Sequence, residues 1–214
     1  MEIFFIIAMV LTSILAVTFI VERGLALRWT KVIPPAIVEV VQRYQSGHEL
    51  PRLRSVCDAC PSTLSRLLLF STEHLDWPRE EAVAVLETRA RHEVTKLERG
   101  LVVLEIIVGI APLMGLVGTI WGLIVLFTGM QGSPGPEQQA LFARGIGDAL
   151  GFTLGGLLIA IMAVVSWSYY SKKVENLAVE MESLCDEFLR RHYRTPENGV
   201  AAPAPLAALR KQAP

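Results

Sequence analysis

The sequence predicts an all-α integral membrane protein that crosses the membrane with three helices, the second and third of which extend into the cytoplasm as a helical bundle. Three runs without a charged residue support this fold class: residues 3–21, 106–130 and 149–170. An α-helix needs about 20 apolar residues to cross roughly 30 Å of hydrocarbon. Each run is about that long or longer, and 52% of the chain is hydrophobic.

The first run predicts a membrane anchor at residues 1–22. It opens with Glu2 instead of a basic segment, and it is longer than the usual apolar part of a signal peptide. No pair of small residues that would suit a signal peptidase precedes Glu22 and Arg23. We therefore expect this helix to stay in the mature protein.

Basic residues predict the orientation, because the cytoplasmic side of a membrane protein carries the excess of Lys and Arg near the ends of its spans. The loop at 131–144 has only Arg144. The other span ends carry Arg23, Arg28, Lys31, Lys96, Arg99, Lys172 and Lys173. We expect the N-terminus and the short 131–144 loop to be periplasmic, and segment 23–100 to be cytoplasmic.

Apolar residues at spacings of three and four predict a long cytoplasmic helix before the second span. Its stripe is Val83, Leu86, Ala90, Val94, Leu97, Leu101 and Leu104. The second span, at 101–130, should continue this helix without a break. Upstream, prolines and a glycine punctuate the segment, and we expect short helices at 37–44 and 62–75.

A second stripe follows the third span, which we place at 145–170. It consists of Val174, Leu177, Met181, Leu184 and Phe188, and it predicts a cytoplasmic helix at 171–194. Two heptads are too few for a free coiled coil, so packing against the preceding cytoplasmic helix is the expected use. Residues 195–214 are rich in Pro and Ala and read as a disordered tail.

Glycines recur every four residues within the second and third spans. This spacing lets helix backbones approach closely in lipid. The residues concerned are Gly115, Gly118, Gly122, Gly147, Gly151 and Gly155. They predict a closely packed pair or ring of helices, and Pro112 should bend the second span just before them.

Asp148 lies at the start of the third apolar run and is the first candidate for a site. An ionisable group at membrane depth is costly and marks an ion or proton path by default. Thr119 and Thr153 both fall about 14 to 16 Å below the outer surface, so their hydroxyls can share one layer, with Asp148 about 7 Å nearer the outside. Alternatively, Asp148 could be a first-turn residue favoured by the helix dipole, and each threonine could bond its own helix.

Other kinds of site are weakly supported. Cys57 and Cys60 form one CxxC without a second pair or suitably spaced histidines, so we read them as ordinary thiols, and Cys185 as reduced. We expect no metal and no cofactor. A basic stripe interleaved with aromatic residues is absent from the sequence, so nucleic-acid binding is not expected either.

Three ordered motifs resemble the MotA/TolQ/ExbB proton channel family, on its ExbB/TolQ side. They are Leu-Glu-Arg-Gly-Leu at 97–101, Ala-Pro-Leu-Met-Gly-Leu-Val-Gly-Thr-Ile-Trp-Gly at 111–122, and Gly-Ile-Gly-Asp-Ala-Leu at 145–150 followed by Thr153. The resemblance runs from the first span, with its closing Glu22-Arg23 pair, through Tyr170.

This resemblance implies a multi-pass subunit of the cell inner membrane, in a homo-oligomeric ring of five that surrounds a dimer of an ExbD/TolR-like single-span protein. Proton flow through such a motor energises outer-envelope processes, such as TonB-dependent transport or envelope maintenance, and a TonB- or TolA-like protein can be a further partner. Thr119 and Thr153 match the family's two pore threonines. Asp148 stands where the family usually has Glu, which is one methylene longer.

Three other functions were weighed against this one. A non-conducting oligomeric scaffold would use the same glycine packing, with Asp148 as a helix cap. A motor subunit for gliding-type motility would share the subunit plan. An intramembrane enzyme is disfavoured, because all four histidines fall outside the apolar runs and leave Ser166 and Ser168 without a base.

The predicted orientation can be tested by cysteine labelling in a background that lacks the three native cysteines. An impermeant thiol reagent added from outside should react with a cysteine at Ser133 and not with one at Ser55 or Ser183. Labelling at Ser55 from the outside would reverse the orientation and move Asp148 to the inner half of the membrane.

Overall fold

The computed structural model describes residues 2–45, 47–129 and 136–194, and every regular element in those ranges is helical. A 3-10 turn, Gly47–Glu49, precedes the fourth of eight α-helices. These are α1 (Glu2–Ala26), α2 (Trp29–Val32), α3 (Pro35–Arg43), α4 (Leu50–Ala59), α5 (Thr63–Glu73), α6 (Arg79–Glu98), α7 (Leu101–Thr128) and α8 (Pro136–Arg194). The all-helical fold class is thus confirmed for the described residues.

Three of these helices contain stretches long and apolar enough to cross a membrane. The stretches are Ile3–Ala26 in α1, Leu101–Thr128 in α7 and Gln139–Arg194 in α8. They include the three apolar runs that the sequence showed, apart from residue 130, which is not described. Pro112 lies inside α7, and the helix continues through it.

The third long helix starts earlier than we expected. We placed residues 131–144 in a loop, but α8 begins at Pro136, so residues 136–144 are helical. Proline suits the first turn of a helix, where its missing N–H has no partner to lose, and the Glu-Gln-Gln-Ala-Leu that follows is a run of good helix formers. Residues 130–135 and the tail at 195–214 lie outside the described residues.

The expectation of one unbroken helix from residue 79 through the second span is wrong. Helix α6 ends at Glu98 and α7 begins at Leu101. At the break, the Arg23 guanidinium fills the space that a side chain at Gly100 would need. Arg23 also donates from Nη1 to the Leu97 carbonyl, 3.2 Å away. The break between α6 and α7 leaves the Leu97 carbonyl without a partner in its own helix, and Arg23 of α1 binds this carbonyl.

The chain divides into two compact units, and the first comprises residues 1–28 and 95–175. In it α1 packs against α7 around a core of short side chains, namely Ala16, Ile107, Ala111, Ala160 and Ala163. Near the end of α1, the Tyr170 hydroxyl donates to the Ile20 carbonyl, 2.9 Å away. Small residues at the shared faces let these helices pack closely without bulky interlocking side chains.

A close approach of two backbones joins α7 to α8 at glycines on both helices. A methyl group added to Gly156 would lie 2.5 Å from the Ala111 carbonyl oxygen and 3.0 Å from the Gly115 Cα. A methyl group added to Gly115 would lie 2.7 Å from the Phe152 carbonyl oxygen. These neighbours are backbone atoms, which cannot rotate away, so the two helices touch backbone to backbone.

The second unit comprises residues 29–94 and 176–214, described up to residue 194. Helices α3 and α5 both pack against α4. The fully buried residues of this unit include Ile37, Tyr44, Leu53, Leu68, Leu177, Met181 and Phe188. The predicted stripe from Leu177 to Phe188 is therefore buried. Helix α5 starts at a capping box in which Ser62 and Ser65 bond each other's backbone N–H groups, at 2.6 and 3.0 Å.

A buried carboxylate in this second unit was not foreseen from the sequence. Glu93 is fully buried on α6, and its Oε2 accepts from Arg66 Nε at 3.0 Å and Nη2 at 2.8 Å. Such a pair is needed because an unpaired charge at full burial would be strongly destabilising. Glu93 occupies a stripe position, three residues after Ala90 and four before Leu97, but the stripe was drawn through apolar residues alone and therefore left it out.

Replacing Gly156 with Ala should separate α7 from α8, because the new methyl group meets backbone atoms on α7. Overpacking of this kind costs about 1–3 kcal/mol, so thermal unfolding in detergent should occur at a lower temperature than for the parent protein. Gly109→Ala is the matched control, since nothing lies within 4 Å of its added methyl group. Equal unfolding temperatures for the two variants would contradict the backbone contact.

Candidate functional site

The structure brings Thr119 and Thr153 together between α7 and α8. Gly115 lies one turn before Thr119 and has no side chain, so the Thr153 Cα lies 3.1 Å from the place that a Gly115 methyl group would take. At this separation even the short threonine side chains meet, and the two Oγ1 atoms are hydrogen-bonded to each other. The expected shared layer of hydroxyls is therefore present within one chain.

These hydroxyls have more acceptors than hydrogens. Thr119 Oγ1 lies 3.0 Å from the Gly115 carbonyl oxygen and 2.9 Å from the Ala149 carbonyl oxygen, besides its contact with Thr153. Thr153 Oγ1 lies 3.5 Å from the same Gly115 oxygen. Each hydroxyl has one hydrogen to donate and can also accept. The pair can therefore exchange its donor and acceptor roles without moving a heavy atom.

The alternative reading of the threonines as helix-bonding residues fits only one of them. Thr119 can donate to Gly115, four residues before it on its own helix. The carbonyl four residues before Thr153 belongs to Ala149, and it accepts from Thr119 across the helix interface. Thr119 is buried, with 8% of its surface exposed, whereas Thr153 is half-buried.

Asp148 is not part of this hydroxyl pair and occupies a separate place. It lines a cleft of about 620 Å³ whose walls come from α1, α7 and α8. Across the cleft from Asp148, α1 contributes Ile6, Met9 and Val10, and α7 contributes Val125 and Leu126. Asp148 is exposed in the single chain, and its neighbour Ala149 supplies the carbonyl that binds Thr119.

The predicted packing glycines fall into two groups. In the first, added methyl groups would meet the partner helix at once: Gly115 meets Phe152 and Thr153, Gly118 meets Phe152, Gly122 meets Ala149, and Gly155 meets the Met9 methyl group. In the second, Gly147 and Gly151, an added methyl group would meet nothing within 4 Å. A packing role for these two would require a second chain.

Sequence reasoning missed Gly156, the residue on which the helix contact depends. The pattern we read was the every-fourth spacing of Gly147, Gly151 and Gly155, which runs along a neighbouring face. The face that α8 turns toward α7 carries small residues at alternating spacings of four and three: Ala149, Thr153, Gly156, Ala160 and Ala163. That spacing is the usual one for a continuous helix contact and would have identified Gly156.

Two buried cysteines, Cys57 and Cys185, lie outside the apolar segments. Burial raises the pKa of Cys57 to about 11 and that of Cys185 to about 12. Both thiols are therefore protonated and unreactive at neutral pH. Across residues 2–45, 47–129 and 136–194, no group of three or more His, Cys, Asp or Glu side chains could hold a metal ion.

Comparison of the sequence with known proteins identifies a family to which this chain is similar. Residues 64–183 match the model of the MotA/TolQ/ExbB proton channel family, and this range includes Thr119, Asp148 and Thr153. The chain is 30% identical over 197 residues to the Tol-Pal system protein TolQ of Pseudomonas aeruginosa, covering 84% of this chain and 82% of that protein.

Two further relatives share less of their own length with this chain. A putative biopolymer transport protein, ExbB-like 1, of Synechocystis sp. is 31% identical over 73% of this chain and 63% of that protein. Biopolymer transport protein exbB1 of Vibrio cholerae is 35% identical over 49% of this chain and 44% of that protein. The chain spans less than two thirds of the length of these two relatives. The family match covers more than half of the chain and the TolQ alignment most of both proteins, so this chain belongs to the MotA/TolQ/ExbB proton channel family.

Proposed function

We propose that the chain is the proton-channel subunit of an inner-membrane motor that uses the proton motive force to energise processes of the outer envelope. The observation that carries this proposal is the hydrogen-bonded pair of the buried Thr119 and the half-buried Thr153, held between two glycine-rich apolar helices. Membership of the family supports the general activity. TonB-dependent transport, envelope maintenance and gliding-type motility all remain open as the process.

The hydroxyl pair suits a carboxyl group that passes it in two protonation states. A carboxylate needs a donor, whereas a neutral carboxyl group also needs an acceptor. Thr119 and Thr153 can offer either, because Gly115 and Ala149 provide carbonyls that accept the hydrogens not in use. Apolar surroundings disfavour the charged form of such a carboxyl group, so protonation and passage are coupled.

The passing carboxyl group belongs, in this proposal, to a dimer of an ExbD/TolR-like single-span protein inside a ring of five copies of this chain. A TonB- or TolA-like protein would receive the resulting motion. The N-terminus faces the periplasm, so Asp148 lies in the outer half of the membrane and the second unit lies in the cytoplasm. Asp148 then collects protons from the outside, ahead of the hydroxyl layer.

Ring assembly can be tested at Gly151. A methyl group added at Gly151 meets nothing within 4 Å in the single chain, so a side chain there starts into open space and Gly151→Leu is expected to leave the subunit folded. If the face of Gly151 packs against a second copy, the bulky residue should separate the copies and reduce the ring to smaller species in native mass measurements. Gly151→Ala is the control and should keep the ring. A complete ring in Gly151→Leu would place this face away from the interface.

The proton path can be tested at Thr153 and Asp148. Thr153→Val keeps the shape and removes the hydroxyl, so growth or transport that depends on this system should be lost while expression and ring size stay normal. Asp148→Asn should impair the same activity, and Asp148→Glu should retain it.

The matched control is Thr18→Val, which removes a hydroxyl that binds its own helix at the Ile14 carbonyl, 2.8 Å away. This variant should keep full activity. Full activity of both Thr153→Val and Asp148→Asn would mean that the two residues are structural and that the proton path does not use them.

A further inference from the structure

Two polar places on α8 differ in their relation to the cleft. Asp148 lines the cleft of about 620 Å³ between α1, α7 and α8, whereas Thr119 and Thr153, which are hydrogen-bonded to each other, are not among its lining residues. Phe152 follows Asp148 by one helical turn and therefore lies on the same side of α8. It lines the same cleft as Asp148.

The position of the Phe152 side chain is fixed by Gly118. A methyl group added to Gly118 would lie 3.0 Å from both Cβ and Cγ of Phe152 and 3.3 Å from its Cδ1, so the ring rests where α7 has no side chain. Gly118 directly precedes Thr119, and Phe152 directly precedes Thr153. The ring thus lies at the level of the hydroxyl pair, on the side that faces the cleft.

The cleft is suited to water. Carboxylates within membrane spans face a bundle interior or a water-filled cavity, because exposure to hydrocarbon is costly. Asp148 is exposed into this cleft, whose volume of about 620 Å³ exceeds many times the roughly 30 Å³ that one water molecule takes. Among the described lining residues Asp148 carries the one charge, and the others are apolar residues or glycines, including Met9 and Phe152.

We propose that this cleft is a water-filled vestibule through which protons reach Asp148 within a single subunit, and that Phe152 is the apolar barrier between the vestibule and the Thr119–Thr153 pair. Apolar constrictions of this kind stop water and ions because they stay dry. The inference rests on the proton-channel function proposed above, and it assigns the barrier to a residue that no motif had singled out.

Such a barrier explains how a polar pair can sit in the membrane without a continuous wet path from the outside. The hydroxyls exchange hydrogen bonds with backbone carbonyls, and water in contact with them would offer protons a path that bypasses the partner. The Phe152 ring closes the cleft side of the pair. A proton at Asp148 then has to wait for a carrier to pass.

The barrier can be tested by reagent access, which does not require conduction. A cysteine is placed at Thr153 in a chain whose native cysteines are replaced by serine, and a small impermeant thiol reagent is added from the periplasmic side of reconstituted rings. Phe152→Ala should raise the labelling rate at this cysteine severalfold, because water and reagent then reach it from the cleft. Phe152→Leu fills the constriction with another apolar side chain and should label at the parent rate.

Loss of bulk elsewhere on α8 serves as the control. Leu150 is 56% exposed, so Leu150→Ala removes a side chain of similar size without opening the cleft, and its labelling rate should match the parent. Equal rates for Phe152→Ala and the parent, or equal increases in Phe152→Ala and Leu150→Ala, would overturn the proposal. If Phe152→Ala does not assemble, Phe152→Val is measured instead, and a rate equal to the parent overturns the barrier in the same way.

The vestibule itself is tested by the charge of the reagent. If access runs past Asp148, a cationic reagent should label the cysteine faster than an anionic one, and Asp148→Asn should remove that difference. A charge ratio unchanged by Asp148→Asn would place the route elsewhere. Labelling does not depend on proton-driven activity, which is measured separately in rings that keep Thr153. Inactivity of those rings together with the expected labelling pattern would overturn the channel function alone, and full activity without the pattern would overturn the barrier alone.

Discussion

Contact between the backbones of α7 and α8 is possible because Gly115 and Gly156 both lack a side chain, and the arrangement of the first unit depends on this contact. With a methyl group at either position, the helices would have to separate. Threonine side chains are short, so Thr119 and Thr153 meet only across such a narrow gap. The same closeness lets Thr119 reach the Ala149 carbonyl on the other helix. Packing and the polar site thus have one cause.

Much of this architecture could be predicted from the sequence. Absence of charge over about 20 residues decides whether a helix can cross a bilayer, and that property is local. The shared depth of Thr119 and Thr153 followed from counting residues along two helices at 1.5 Å each. Counting along a helix does not show which face meets which neighbouring helix, and so Gly156 was missed and the cleft that Asp148 lines was not foreseen.

Other differences arise from contacts between distant parts of the chain. The break between α6 and α7 depends on Arg23, which is more than 70 residues away and binds the Leu97 carbonyl. The apolar stripe of α6 runs through the break without interruption, so periodicity alone predicts a continuous helix. Glu93 is buried on the apolar face of α6, where Arg66 of α5 pairs with its carboxylate. In both cases an arginine on another helix supplies a contact that the local pattern does not show.

Helix α1 is held very differently at its two ends. Near residues 20–23 it is attached by directional bonds, from Tyr170 to the Ile20 carbonyl and from Arg23 to the Leu97 carbonyl. Toward its start it borders the cleft with Ile6, Met9 and Val10, whose contacts are apolar and not directional. The two hydrogen bonds to backbone carbonyls thus lie at the same end of this helix. A tilt of α1 about residues 20–23 would change the width of the cleft around Asp148 while both of these bonds stay intact.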